Sequence, residues 1–413
     1  MRDTELYRHL LGLESPWTVT RVELTIPDQQ VGVWAGHADG AEWHCPECGK
    51  VSPLYDHSEE RSWRHLDSCQ FKTIIRARPP RVKCGEHGVR QVTLPWAEGL
   101  GRFTSLFERL AIDVLRETTV QGATTILRIS WDEAWGIMAR AVERGKAAKE
   151  ERVVPTIGVD EKAAAKGQKY ITLVCDVEGA TVEYIGDDRK RATLDAYYKG
   201  LSQEQMDGIQ AVAMDMWDPF IDSTMTHVPD AAEKIVFDRF HIAQHMGTAV
   251  DTVRKQENRE LRAEGDDILV GTKYLWLWRQ ENLPERHHDW FATLRAANLK
   301  TGRAWAIAEC LRGLWEYTSK SWAMKYWKKW YFWATHSRLT PVIIVARMIK
   351  SHLANVMTYF DHRITNAVSE GLNSKIQTIK KMACGYRNRE NFKTAIFFHC
   401  GGLDLYPATH ANP

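Results

Sequence analysis

The chain has 413 residues, of which 44% are hydrophobic and 26% are charged, and its formal net charge is +2. This length is enough for two to four domains with real cores, and the composition is typical of a soluble globular protein. No apolar run reaches the length of a bilayer span, and the first residues lack a secretory hydrophobic region. We therefore expect a cytoplasmic protein without a membrane partner. The eight cysteines do not form a compact disulfide framework of the secreted kind.

The first segment, residues 1–98, is predicted to be a small metal-binding domain. A short helix is expected at residues 6–13 and an alternating strand at residues 17–26. Two motifs follow, Cys45-Pro-Glu-Cys48 and Cys84-Gly-Glu-His87. Three thiolates and one imidazole are a suitable tetrahedral set for structural Zn²⁺.

The spacing between these two motifs leaves the zinc assignment open at this point. It is longer than the commonest zinc-finger spacings, and His57, His65 and Cys69 lie inside the gap. Polar turns without a metal are the alternative. A Cys-Pro-x-Cys motif in a cytosolic protein seldom occurs without a metal, which favours zinc.

Residues 99–150 are predicted to be helical. Phe107, Leu110 and Val114 fall at helical spacing on one face. Ser130 and Glu133 form a Ser-x-x-Glu capping box that predicts a helix start. A short helix, a tight turn and a capped helix match the helix-turn-helix outline, in which the second helix is the recognition helix. A plain pair of antiparallel helices is nearly as consistent with this pattern.

The next segment, residues 151–244, changes to strands. Residues 156–160, 169–176 and 181–186 are short, β-branched and separated by turns, which predicts a three-strand meander. Helices then alternate with strands ending near residues 215 and 238. The fold class predicted is therefore multidomain α/β, with a mixed, ribonuclease-H-like sheet.

Residues 245–355 are predicted to be an all-α insertion into this sheet domain. They contain nine of the 17 tryptophans and many lysines and arginines. Interleaved aromatic and basic residues can stack on unpaired bases and track phosphate, and Trp327 and Trp330 are the candidates for such stacking. An amphipathic helix whose tryptophan face belongs to the core is the better-supported alternative on the pattern alone.

The last segment, residues 356–413, is predicted to complete the sheet domain and to end in a basic tail. Val368, Leu372, Ile376 and Ile379 form an apolar helical stripe, whereas Asn366, Glu370, Asn373, Gln377 and Lys381 share another face. Residues 371–395 contain six Lys or Arg against one Asp or Glu, and residues 61–90 contain eight against two. Such patches can bind phosphate, although on the charge count alone a solvated surface is the better-supported alternative. The candidate contacts in the second patch are Lys375, Lys380, Lys381 and Arg387.

Three acids stand where a pair of divalent cations could be held. Asp160 and Asp215 each end an extended apolar run, and Glu370 lies on the predicted helix. Two carboxylates at strand ends and a third on a helix can converge on two Mg²⁺ or Mn²⁺ ions that promote attack at phosphorus. Asp238 and His241 are auxiliary candidates, and the competing acids are Glu161, Asp176, Asp218 and Asp238. Solvent-exposed strand-end caps are the alternative for each aspartate.

Taken in order, these motifs resemble the ISL-three family of bacterial insertion-sequence transposases. The resemblance includes the two Cys/His motifs, Gly158-Val-Asp-Glu, Ala213-Met-Asp-Met-Trp, Asp238-Arg-Phe-His241 and Glu370-Gly-Leu-Asn-Ser-Lys, and it covers nearly the whole chain. It implies a zinc-binding domain, a helix-turn-helix and a DDE catalytic domain with an insertion. Asp160, Asp215 and Glu370 match the catalytic triad, and Cys45, Cys48, Cys84 and His87 match the zinc ligands.

The function implied by this resemblance is transposition of the element that encodes the protein. We expect binding to double-stranded DNA at the terminal inverted repeats, cleavage of the ends and joining of the 3′-hydroxyls to target DNA. A homodimer or larger paired-end complex, associated with the nucleoid, is also implied. The alternatives are a non-catalytic DNA-binding regulator and a metal-dependent nuclease that cuts without joining.

Overall fold

The computed structural model describes residues 2–99, 101–165, 169–364 and 367–408 and divides the chain into two units. The first comprises Met1–Glu150, Met382–Cys384 and Glu390–Pro413, and the second comprises Glu151–Lys381 and Gly385–Arg389. Asn366, predicted on the Glu370 face, and residues 409–413 of the predicted tail lie outside the described residues. No helix in the described part of the chain has both the length and the apolar character needed to span a bilayer.

The first unit begins with a helix and two small sheets. The helix is α1 (Asp3–Leu10), and the strands are β1 (Trp17–Thr25), β2 (Gln30–His37), β3 (Leu54–His57), β4 (Arg61–Arg64), β5 (Lys72–Ala77), β6 (Pro80–Cys84) and β7 (Gly88–Gln91). One sheet has the order β1-β2-β5-β4 and the other β3-β6-β7. The fully buried side chains of Val33, Trp63 and Ile75 anchor the four-stranded sheet in its core. The predicted strand at residues 17–26 is confirmed by β1.

Three helices complete this part of the first unit: α2 (Ser105–Glu117), α3 (Val120–Leu127) and α4 (Trp131–Ala148). The turn between α3 and α4 passes through Arg128, whose φ is +56°. The Oγ of Ser130 accepts the Glu133 N–H at 3.3 Å, and the Glu133 carboxylate accepts the Ser130 N–H at 2.8 Å. The predicted capping box is confirmed, and it sets the start of α4 by satisfying amides that have no intrahelical partner.

The buried face of α2 differs from the predicted one. Phe107, Ala111 and Leu115 are buried, whereas Leu110 is 43% exposed. Positions 107, 111 and 115 recur every four residues and form one row, and Leu110 lies to the side of that row. Helix α17 (Arg389–Cys400) contributes Phe398 to the same core. Its packing is the reason that the described residues from Glu390 onward group with the first unit rather than with the predicted segment 356–413.

A five-stranded mixed sheet forms the centre of the second unit. Its strands are β8 (Thr156–Ala165), β9 (Lys169–Asp176), β10 (Thr181–Asp187), β11 (Ala211–Met214) and β12 (Ile235–Phe237), in the order β10-β9-β8-β11-β12. Strands β8, β9 and β10 are antiparallel neighbours, and β11 runs parallel to both β8 and β12. The predicted meander and the predicted mixed sheet are confirmed.

Helices supply the remainder of the second unit. They are α5 (Arg191–Lys199), α6 (Gln203–Asp207), α7 (Asp218–His227), α8 (Ala231–Lys234), α9 (Arg239–Ala263), α10 (His288–Ala296), α11 (Lys300–Arg312), α12 (Lys320–Thr335), α13 (Thr340–Ser351), α14 (Leu353–Met357), α15 (Tyr359–His362) and α16 (Ala367–Met382). Residues 245–355, all of them described, contain helices and no strand, as predicted. The predicted boundary at residue 245 nevertheless falls inside the continuous helix α9.

Trp327 and Trp330 belong to the core of the helical segment. Each is 3% exposed, and the indole N–H of Trp330 donates to the Ile307 carbonyl at 2.8 Å. They lie on the same face of α12 as the buried residues Ala323 and Ala334. The prediction that these two side chains stack on unpaired bases is therefore wrong, and the amphipathic-helix alternative is confirmed.

We expect Trp330→Ala to lower the free energy of unfolding by about 3–5 kcal/mol, because it opens a cavity and removes the donor to Ile307. Urea denaturation followed by circular dichroism measures the change. Trp290→Ala is the matched control, since Trp290 is 44% exposed and lies in the same unit. Equal stability of the two variants would contradict the core assignment.

Candidate active site and metal centre

Three aspartates occupy one row across neighbouring strands of the second unit. The parallel pairing of β8 with β11 ends at Gly158 opposite Ala213, and that of β11 with β12 ends at Met214 opposite Phe237. Continuing both registers places Asp160, Asp215 and Asp238 side by side. Neighbouring strands lie about 4.8 Å apart, so this row concentrates carboxylates at one edge of the sheet.

The position of Asp160 differs in one respect from the predicted strand end. Strand β8 continues to Ala165 and pairs with β9 beyond Asp160, so this aspartate is inside the strand. It lies two residues beyond Gly158, where the parallel pairing with β11 ends, and its side chain is half-buried. Asp215 directly follows β11, as predicted.

The carboxylate of Asp160 is held at both oxygens. Oδ1 accepts the Glu161 N–H at 2.7 Å, and Oδ2 accepts the Asn373 side-chain N–H at 2.5 Å. Burial raises the pKa of Asp160, while the Glu161 amide and the side chains of His241 and Asn373 oppose that rise. The contact with Asn373 was not predicted, although the helical pattern had placed Asn373 on the same face as Glu370.

A glycine lets helix α16 approach β8 closely enough for this contact. A Cβ added at Gly158 would lie 2.5 Å from the Ser369 Oγ and 2.8 Å from the Cys175 Sγ. Ser369 itself is buried, and its hydroxyl lies 3.2 Å from that thiol. The close approach fixes the turn of α16 that contains Glu370, between Ser369 and Asn373.

Glu370 is exposed and lines a cleft of about 780 Å³ together with Asp238. The cleft is also lined by residues of the helical segment, including Arg279, Arg312 and Trp315. The predicted apolar stripe of α16 is buried at Leu372, Ile376 and Ile379. The helix therefore presents Glu370 to the cleft and its apolar side to the core.

The auxiliary candidates lie within this site. His241 has its Nδ1 3.6 Å from Asp215 Oδ2 and its Nε2 3.8 Å from Asp238 Oδ2. Asp238 is buried and caps α9 by accepting the Phe240 N–H at 2.9 Å. Its carboxylate therefore has a structural role whether or not it has a catalytic one.

The other acids considered as cation ligands are paired with arginines or lie outside the aspartate row. Glu161 forms an ion pair with Arg189 at 3.0 Å. Asp176 pairs with Arg152 at 2.7 Å and lies opposite Ile157, at the other end of the sheet from the aspartate row. Asp218 is exposed at the start of α7.

The donor set at the aspartate row suits Mg²⁺ or Mn²⁺, because every donor is a hard oxygen. The Asn373 Oδ1 is buried and has no hydrogen-bond partner among the described residues, which adds another oxygen beside Asp160. The ligand atoms of Asp160, Asp215 and Glu370 do not all lie within 4.8 Å of one another. A pair of cations about 3.5–4 Å apart has ligands on both flanks, so a two-metal site does not require all three acids to meet at one point.

The first unit contains one compact group of metal-ligating side chains, formed by Cys45, Cys48, Cys84 and His87. Their ligand atoms all lie within 4.8 Å of one another. Among the described residues, no other group of three or more Cys, His, Asp or Glu is as close. The Cys48 and Cys84 sulfurs are 3.7 Å apart, and the His87 Nδ1 lies 3.7 Å from the Cys45 sulfur and 3.6 Å from the Cys84 sulfur. A tetrahedron with Zn–S bonds of 2.3 Å and Zn–N bonds of about 2.0 Å has edges of about 3.5–3.8 Å. The residues present therefore fit Zn²⁺.

The electrostatics of this group favour a thiolate at Cys84. The backbone amides of Glu86 and His87, together with the His87 side chain, lower the pKa of Cys84 to about 6. A deprotonated thiol is the form that binds a metal.

The other metal-binding residue types in the gap lie outside the group. His65 is buried, its Nδ1 is 2.9 Å from the Thr104 Oγ1, and burial lowers its pKa to about 4. His57 faces His37 with 2.8 Å between their Nε2 atoms, and Cys69 is exposed.

The basic candidates of the C-terminal patch are accessible to different degrees. Lys375, Lys381 and Arg387 are exposed, whereas the Lys380 Nζ donates to the Ala163 carbonyl at 2.8 Å. Their contacts with phosphate remain predictions.

Comparison with known families defines the class of protein. A family model described as "Transposase", that of the DDE domain of ISL3 transposases, matches residues 157–396, which is more than half of the chain. Residues 41–87 match "zinc-finger of transposase IS204/IS1001/IS1096/IS1165", and residues 92–142 match "Helix-turn-helix domain of transposase family ISL3". The protein is a DDE-type transposase with a helix-turn-helix DNA-binding domain. The chain belongs to transposase family ISL3, the family that its sequence motifs resemble.

Two individual relatives agree with this assignment. The chain is 27% identical over 355 residues to the transposase for insertion sequence element IS1001 of Bordetella parapertussis, covering 84% of this chain and 86% of that protein. It is 24% identical over 444 aligned residues to the transposase for insertion sequence element IS1557 of Mycobacterium tuberculosis, covering 100% and 99%.

We expect Cys48→Ser to remove bound zinc and to unfold the zinc-ribbon region, because metal binding and folding are coupled in such small modules. Metal analysis of the purified chain should give about one zinc per chain for the unsubstituted protein and a large loss for the variant. Cys69→Ser is the matched control, since Cys69 is exposed and outside the ligand group. Unchanged zinc in Cys48→Ser would remove this residue from the ligand set.

Proposed function

We propose that this transposase binds the terminal inverted repeats of an insertion sequence, cleaves the element ends and joins their 3′-hydroxyls to target DNA by two-metal-ion phosphoryl transfer. The observation that carries this proposal is the pairing of Asp160 with Asn373. That hydrogen bond joins the aspartate row of the sheet to the helix that presents Glu370. The turn of α16 that contains Glu370 is thereby coupled to the aspartate row, and Glu370 shares a cleft with Asp238, a member of that row.

The sheet supports a ribonuclease-H-like catalytic domain. Three antiparallel strands are followed by two shorter strands parallel to the first, with helices in the connections. The catalytic domain comprises residues 151–244 and the part of 356–413 that ends with α16, and residues 245–355 are its helical insertion. Residues 1–98 form the zinc-binding domain and residues 99–150 the helix-turn-helix.

Within the catalytic domain, Asp160 and Asp215 hold divalent cations from the sheet, and Glu370 completes the site from α16. Bound Mg²⁺ or Mn²⁺ would supply Lewis acidity at the scissile phosphate and favour loss of the proton from the attacking oxygen. Asn373 orients the Asp160 carboxylate by its hydrogen bond. His241, between Asp215 and Asp238, is positioned to restrain the Asp215 side chain or to accept a proton near it.

DNA recognition is assigned to the first unit. Zn²⁺ held by Cys45, Cys48, Cys84 and His87 stabilises the N-terminal fold, and α4 enters the major groove as the recognition helix. In the second unit, the exposed cations Lys375, Lys381 and Arg387 contact phosphate, with Lys380 beside them. At least a dimer is needed to pair the two ends of the element.

We expect Glu370→Gln and Asp215→Asn to abolish both cleavage and strand transfer, because each removes negative charge that holds the cations, while binding to element ends stays nearly intact. Cleavage is measured on a labelled duplex that spans an intact element end, strand transfer by joining a labelled, pre-cleaved end to plasmid DNA, both in Mg²⁺, and end binding by gel shift. Asp218→Asn is the matched control, since this exposed aspartate lies three residues beyond Asp215 and outside the row.

Each other result of this assay favours a different function. Nicking without joining by the unsubstituted protein would favour a nuclease. End binding with neither reaction would favour a DNA-binding regulator. Loss of end binding in Asp215→Asn together with loss of cleavage would remove Asp215 from the catalytic set.

Asn373→Ala should reduce the rate of strand transfer and raise the Mg²⁺ concentration needed for half-maximal activity, because Asp160 loses the donor that orients it. The ratio of the rate to that Mg²⁺ concentration should fall by about 10–100-fold. Titration with Mg²⁺ separates this effect from a general loss of folding. The control is Gln377→Ala, one turn further along the same helix face. A rate loss at unchanged Mg²⁺ dependence would contradict a positioning role for Asn373.

A further inference from the structure

Helix α12 presents an outward row of alternating aromatic and basic side chains. Trp322, Lys325, Lys329, Phe332 and the following His336 recur at spacings of three and four residues, and all five are exposed. Trp322 is 60% exposed and Phe332 is 64% exposed. This row, called here the α12 stripe, lies opposite the face that buries Trp327 and Trp330.

Ring and charge are combined along the α12 stripe. The Lys325 Nζ lies 4.3 Å from the centroid of the Trp322 ring, and the rings of Phe332 and His336 are stacked with centroids 4.0 Å apart. The exposed rings of Trp322 and Phe332 are available to stack on a partner. The interleaved cations restrict the chemistry of the partner.

The segment that contains the α12 stripe is strongly basic. Residues 317–360 contain seven Lys or Arg and no Asp or Glu, in a chain whose net charge is only +2. Within the described structure, Lys325, Lys328 and Lys329 form no ion pair with a carboxylate, and Lys320 pairs with Asp361. A basic segment in which three lysines of one helix have no carboxylate partner in the described structure favours a polyanion.

We propose that the α12 stripe binds a single strand of DNA, with bases stacked on Trp322 and Phe332 and phosphates on Lys325, Lys328 and Lys329. The rings favour an unpaired strand over a duplex, because the faces of paired bases are covered by their neighbours in the stack. From Trp322 to His336 the row spans about 21 Å at 1.5 Å per residue. That length accommodates a few nucleotides.

A second copy of the chain fits this surface less well. A two-fold interface would place one α12 stripe against another, and their like charges would repel. This inference deepens the proposed function. It rests on that function only to explain where a single strand comes from, since unpaired DNA arises where cleaved element ends separate from their flanks.

The test is fluorescence anisotropy of a labelled 20-nucleotide oligothymidylate and of a 20-base-pair duplex, using the full chain with Asp215→Asn to prevent turnover. Adding Trp322→Ala and Phe332→Ala together should weaken binding of the single strand at least about tenfold and leave duplex binding unchanged. Trp290→Ala is the matched aromatic control, exposed in the same unit. Both substituted side chains are exposed, so we expect the variant to fold, and circular dichroism checks that it does.

A second variant tests the charges separately. Lys325→Gln with Lys329→Gln should reduce the slope of log K against log salt for the single strand by about 1.4, from two lost phosphate contacts.

Unchanged single-strand affinity in the aromatic variant overturns the proposal, and so does an equal loss for the duplex. Unchanged binding with dissociation of a dimer in sedimentation would assign the surface to a second copy. Failure of strand transfer in the unsubstituted protein would leave this binding result intact and concern the proposed function alone.

Discussion

The hydrogen bond between Asn373 and Asp160 is the contact on which the geometry of the proposed catalytic site depends, and the absence of a side chain at Gly158 makes it possible. At Gly158 the strand and α16 are so close that a methyl group would meet both Ser369 and Cys175. A buried carboxylate is otherwise unfavourable, so the Asn373 amide both stabilises Asp160 and fixes the phase of the helix. The orientation of Glu370 follows from that phase.

The zinc-ligand group and the proposed divalent-cation site differ in how far the fold of the chain already assembles them. The Cys/His group is assembled on short turns within one small region, and its ligand spacing already matches a zinc tetrahedron. The acids come from segments more than 200 residues apart in the chain, and their mutual repulsion favours a wider separation. Local turns are enough for the first site, whereas the second depends on sheet register and on helix docking.

Local patterns therefore predicted much of the fold. Alternation predicted the meander, the Ser-x-x-Glu spacing predicted the start of α4, and the apolar stripe of α16 is buried as the period indicated. Features that depend on distant contacts were missed: the continuation of β8 past Asp160 and the packing of α17 with the first unit. The Asn373 contact belongs with them, because no spacing along one helix reveals which strand it faces.

Helix α9 begins one residue after β12, with Asp238 as its cap, and continues for 25 residues into the helical segment. Near its far end Glu257 accepts the backbone N–H groups of Lys300 and Thr301, which start α11. Helix α9 therefore connects the sheet to the helical segment as one continuous element without a loop or hinge. Each residue added or deleted within it would turn everything beyond by about 100°, so length changes there are tolerable only in near-multiples of a full turn, such as seven residues. Divergence in the size of this segment is therefore expected in its loops and not in α9.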